Sequence, residues 1–92
     1  MTTVGAYSVY DKTAESYATP FFAINSVVAK RNFRFSLTKL DDIFVKDLEL
    51  FCVGYFDQGN GMLVGTPVSL VDTGENVLSE REIEKKNSEV KQ

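Results

Sequence analysis

The sequence predicts an α+β fold: a small antiparallel sheet of about four strands in ββαββ order, one amphipathic helix, and a charged C-terminal tail. Three observations carry this. Residues 4–10 and 48–56 alternate with the period of two that marks strands. Between them, Ala29, Phe33, Leu37 and Leu40 recur at steps of four, four and three, the spacing of one helix face. Asp57-Gln58-Gly59-Asn60-Gly61 then separates residues 48–56 from a second extended run, 62–71, as a hairpin turn does.

The first strand points Val4, Ala6, Ser8 and Tyr10 one way and Gly5, Tyr7 and Val9 the other. Asp11-Lys12 ends it, and residues 12–18 form a connector. Pro20 opens a short apolar run, Phe21-Phe22-Ala23-Ile24, long enough for a short strand. Asn25 and Ser26 both have side chains able to cap the free N–H groups of a helix start. The helix is expected over 26–39. An alternation of Phe33, Phe35 and Leu37 competes with it, but helical spacing accounts for more positions. Lys30, Arg31 and Arg34 lie beside the apolar face as a basic stripe, and Val28 and Phe35 make a second, smaller apolar patch.

Residues 40–46 connect onward, with Asp41 and Asp42 at a turn or a second short helix start. In the strand 48–56, Leu48, Leu50, Cys52 and Phe56 share one face and Phe51, Val53 and Tyr55 the other. Both faces are apolar, whereas one helix covers only one; a second copy or a partner is expected on the other. Pro67 cannot donate to a ladder, which places the strand 62–71 at an edge or gives it a bulge.

The chain has 92 residues, enough for one domain. Residues 1–72 hold the apolar pattern. Residues 73–92 are dense in charge, with only Val77, Leu78, Ile83 and Val90 sizeable and apolar, and are expected as a disordered or loosely helical tail, or a helix that docks on a partner. A core this small is marginal alone, which again favours oligomerisation. With 1 cysteine and 0 histidines, no intrachain disulfide, zinc site or nucleophile–histidine pair is available. Cys52 reads as a small buried hydrophobe. Asp41-Asp42, or Asp47 with Glu49, reads as solvated carboxylate rather than metal ligand, and no phosphate-binding loop follows a strand. The expectation is a protein without cofactor, not an enzyme. No signal-like start and no long apolar run are visible, so the cytoplasm is the expected compartment, with no membrane partner.

The net charge of −3 opposes coating of nucleic acid by bulk electrostatics. Its distribution is uneven: no acidic residue lies between Ser16 and Leu40, where Lys30, Arg31, Arg34 and Lys39 fall. These four could meet phosphates, and Tyr7, Tyr10 and Tyr17 could stack on unpaired bases. The competing account makes the stripe the solvated side of an amphipathic helix and the aromatics core; spacing alone favours it.

The ordered set Tyr7-Ser8-Val9-Tyr10-Asp11, Pro20-Phe21-Phe22, the segment 25–39, and Leu50-Phe51-Cys52-Val53-Gly54-Tyr55-Phe56-Asp57 ending in Gly61 resembles the small nonstructural protein of gokushovirus-like microviruses, phages with single-stranded DNA genomes. The resemblance covers residues 5–71. It implies a nonstructural, DNA-binding accessory protein acting in genome replication or packaging in the host cytoplasm. It raises the expectation of single-stranded DNA contact without naming the side chains that make it. Gly54, Asp57 and Gly61 also have a structural reading: close backbone approach, turn hydrogen bonds and positive φ. The alternative function is a protein-interaction module that engages a replication or capsid protein through an apolar sheet face.

Overall fold

The computed structural model describes residues 2–90. The elements run β1 (Thr3–Asp11), β2 (Ser16–Tyr17), β3 (Phe21–Ala23), α1 (Ser26–Leu37), α2 (Asp42–Val45), β4 (Leu48–Asp57), β5 (Leu63–Thr73) and α3 (Gly74–Val90). The expected ββαββ frame is present within an α+β fold. The sheet has five strands rather than about four, because the connector 12–18 contributes the two-residue β2. Its order is β2-β1-β4-β5, with β3 also paired to β1, and every pairing is antiparallel.

Helix α1 starts at Ser26 because Asn25 caps it: Asn25 Oδ1 accepts the Val28 N–H at 2.9 Å. It stops at Leu37, short of the expected 39, and Leu40 therefore leaves the buried line and stands exposed. Ala29, Phe33 and Leu37 are buried against the sheet. They meet Tyr7, Ala23 and Leu50, joined by Val45 of α2 and Val77 of α3. The charged segment that composition sets apart from residue 73 onward forms α3, whose first turns deliver Val77 and Leu78 to this core.

Strand register sorts the two faces. Tyr7 pairs with Phe21 and Cys52, and Val9 with Leu50; these side chains face the helices. Ala6 pairs with Phe22 and Gly54, Ser8 with Phe51, and Tyr10 with Tyr17; these face away. A register shift between Ala6 and Tyr7 corrects one expectation. Phe56 does not share the face of Leu48, Leu50 and Cys52. The extra residue in β4 reverses the alternation, and Phe56 packs edge-on against Phe22 at 5.9 Å on the far face.

Strand β5 is the sheet edge, and its pairing to β4 is irregular opposite Pro67, as the missing donor requires. At the β4–β5 turn, Asp57 Oδ1 accepts the N–H groups of Gly59 (2.8 Å) and Asn60 (3.3 Å), and Gly61 takes φ +77°. Gly54 sits so close to Val64 that a Cβ there would collide with the Val64 carbonyl oxygen. Gly65, its cross-strand partner, has open space where a Cβ would go. Gly54→Ala should therefore lower stability by roughly 2 kcal/mol, the cost of overpacking, while Gly65→Ala changes it by less than about 1 kcal/mol. Urea midpoints of the two variants against the parent check this.

Candidate nucleic-acid interface

On the solvent side of α1, one residue per turn falls on a single line: Val27, Arg31 and Phe35, continued by Lys39 just past the Thr38 cap. Four residues of helix rise about 6 Å, so neighbouring side chains on this ridge are in reach of one another. All four are exposed, and the Phe35 ring is 69% accessible. Lys30 stands beside the ridge, also exposed. Among the described residues, Lys30, Arg31 and Lys39 form no ion pair, although Lys30 is near enough to help lower the pKa of Glu80. The ridge is therefore a bare aromatic ring flanked along the helix by two cations.

Arg34 is placed differently. Its Nε donates to Asp72 Oδ2 at 2.8 Å, and one Nη donates to Glu80 at 2.5 Å. One guanidinium thus joins α1, β5 and α3. Asp72 is almost wholly enclosed, its side chain 1% accessible. Burial alone would push its carboxyl up, but hydrogen bonds from Arg34 and the Thr73 N–H outweigh this and hold it below the ordinary value of 3.8. The hydrogen bonds to Glu80 and Asp72 raise Arg34 in turn, and Arg34 lowers Glu80. Arg34 is a clamp whose donors already face carboxylates, so the stripe of four cations is reduced to Lys30, Arg31 and Lys39 as the open set.

The three tyrosines do not join that set. Tyr7 is buried in the core beside Phe21, and burial, with a smaller effect from Cys52, raises its hydroxyl pKa. Tyr10 and Tyr17 pack with their rings tilted and centroids 4.7 Å apart on the sheet face turned away from the helices, and Phe51 meets Tyr17 at 5.7 Å. The aromatic member of the ridge is Phe35. Its signal was present in the sequence: it falls four residues from both Arg31 and Lys39, on the side of the helix opposite Ala29, Phe33 and Leu37.

Other chemistry-bearing residues are engaged locally. Asp42 pairs with Arg81 at 3.3 Å, and Asp47 accepts the Thr13 hydroxyl at 2.8 Å. Cys52 is half-buried against the core. Among the described residues, no group of three or more histidine, cysteine or acidic side chains could hold a metal ion, and no helix is long and apolar enough to cross a membrane.

Fold and ridge define a small α+β protein that displays its reactive side chains on open surfaces rather than around an enclosed cleft. The chain belongs to the Phage ORF5 protein family, whose sequence model matches residues 4–77, from β1 through the first turn of α3. It is thus a phage protein, and the family fits an accessory role. No curated protein and no solved structure matches it.

The clamp gives a prediction with a definite sign. Because folding lowers the Asp72 pKa, its stabilisation is complete above the unfolded value of 3.8 and is lost as pH falls through the folded value. Asp72→Asn should cost roughly 2 kcal/mol at neutral pH. That difference from the parent should shrink once the pH drops below 3.8, as followed by urea unfolding at a series of pH values.

Proposed function

We propose that this chain is a non-enzymatic accessory protein of a gokushovirus-like, single-stranded DNA phage, and that it binds viral single-stranded DNA during genome replication or packaging in the host cytoplasm. The observation that carries the reading is the α1 ridge, where the exposed Phe35 ring lies between Arg31 and Lys39. An unpaired base has a free face to stack on Phe35, and the flanking phosphates then lie within reach of Arg31, Lys39 and Lys30. Duplex DNA offers no such face, since its bases are already stacked. The resemblance of the ordered motifs to a nonstructural DNA-binding protein of these phages supports the same reading, as does membership of a phage protein family.

The net charge of −3 limits the interaction to this one local surface. Three open cations imply a shallow salt dependence, a slope of log K on log salt of about −2 for a single strand. Fluorescence anisotropy of a labelled single-stranded oligonucleotide at several salt concentrations tests this. Arg31→Ala/Lys39→Ala should flatten the slope by about 1.4. Phe35→Ala should weaken binding by roughly 1–3 kcal/mol while leaving the slope alone. Binding unchanged in the triple variant would remove α1 from the interface, and no binding by the parent at low salt would remove the function.

A further inference from the structure

The helices α1, α2 and α3 all pack on one side of the sheet; among the described residues, no layer covers the other side. That open face is apolar and aromatic, with Tyr17 46% and Phe22 48% accessible and Leu70 more exposed still. Its charge is as informative as its apolarity. No residue of the five strands is a lysine or arginine; every cation among the described residues lies on a helix or a connection. By register, Glu49 is the one carboxylate among the strand positions on this side. A surface without cations has nothing to neutralise phosphate, so this face is chemically distinct from the α1 ridge.

Its relief is also particular. At one end, Tyr10, Tyr17 and Phe51 form a cluster of rings. At the other, Ala6, Gly54 and Gly65 floor a groove of about 280 Å³ walled by Phe22 and Leu63. Ala6 and Tyr10 are four residues apart on β1, so cluster and groove are separated by roughly 13 Å along the strand. An end bearing bulky rings and an end with a groove floored by small residues let one face complement itself. A two-fold axis passing between them seats each cluster in the other copy's groove, the isologous arrangement of a symmetric dimer. The same operation keeps the two Glu49 carboxylates at opposite ends of the contact, since Glu49 pairs with Tyr10 at the cluster end.

We infer that the open sheet face is the contact surface for a second copy of this chain. The available area supports it. The long strands β1, β4 and β5, with β2 and β3 end to end in a fourth row beside β1, span at most roughly 30 Å by 19 Å, a little under 600 Å² before side-chain relief is added, against about 800 Å² per partner in a standard stable interface. Face-to-face association leaves both α1 ridges on the outside of the dimer, pointing in opposite directions. The inference is independent of the DNA-binding reading and uses none of its residues.

Sedimentation velocity of the full chain over roughly 5–200 µM, a range that brackets micromolar dissociation constants, tests it. The parent should sediment as a dimer in the upper part of the range. Tyr17→Lys, which puts a charge into the cluster, should be monomeric throughout with an unchanged circular dichroism spectrum. Gly65→Val fills the groove from a position where a Cβ meets nothing within 4 Å, so the protomer folds and dimer affinity should fall at least tenfold. Phe35→Ala, on the opposite layer, should leave the dimer intact. A parent that stays monomeric at the highest concentration would overturn the inference and leave the face to another protein, such as a replication or capsid protein. A dimer that survives Gly65→Val would overturn it too, whatever Tyr17→Lys does to folding.

Discussion

Three elements around the core, α1, β5 and α3, are held in register by one guanidinium. Arg34 reaches from α1 to a carboxylate enclosed at the end of β5 and to another on α3. Asp72 cannot be buried without it, because an unpaired carboxylate in that position would protonate or drag the strand end toward solvent. With it, the strand end, the helix that lies across the sheet and the helix that follows share a fixed geometry. Val77 then has a defined place in the core, and α3 begins as part of the domain. Lys12–Glu75 and Arg81–Asp42 add peripheral ties between α3 and the rest, but both are exposed and count for little beside the Asp72 pair.

The elements that were legible in the sequence are those set by local rules. Period-two alternation located β1 and β4, the three-and-four spacing located α1 with its buried face, and the turn chemistry of Asp57 and Gly61 located the hairpin. What could not be read depends on partners distant in sequence. The two-residue β2 exists only because β1 is beside it. The reversal of Phe56 arises from a one-residue slip between strands, and residue pattern alone does not show a slip. The ridge was half legible: Lys30, Arg31 and Lys39 were found by charge, but Arg34 was grouped with them because Asp72 and Glu80 lie 38 and 46 positions away along the chain. Phe35 reads as part of an apolar patch with Val28 by hydrophobicity, although its place opposite Ala29, Phe33 and Leu37 already turns it to solvent. The tyrosines are near the basic stretch in sequence, but Tyr10 and Tyr17 lie on the far face of the sheet and Tyr7 is enclosed in the core.

Charge segregation organises the molecule's surfaces. Strands without cations make a sheet that is apolar on both sides, and the helices carry the solubilising charge as well as the ridge. One layer then presents cations and a lone aromatic ring; the opposite layer presents clustered rings and small residues. The two surfaces differ in chemistry enough to be used at the same time, because neither occupant would find its contacts on the other side.

Strand β5 passes into α3 with no residue between them: Thr73 ends one and Gly74 begins the other. A helix turns about 100° per residue. A single insertion or deletion at this junction would therefore swing Val77 out of the core and carry Glu80 away from Arg34 in one movement. The junction cannot absorb changes in chain length. The hairpin tip at residues 59–61 can, since it is exposed and held by its own turn. The family match ends at Val77, within the first turn after this junction, where the core begins to dictate the helix's angular position.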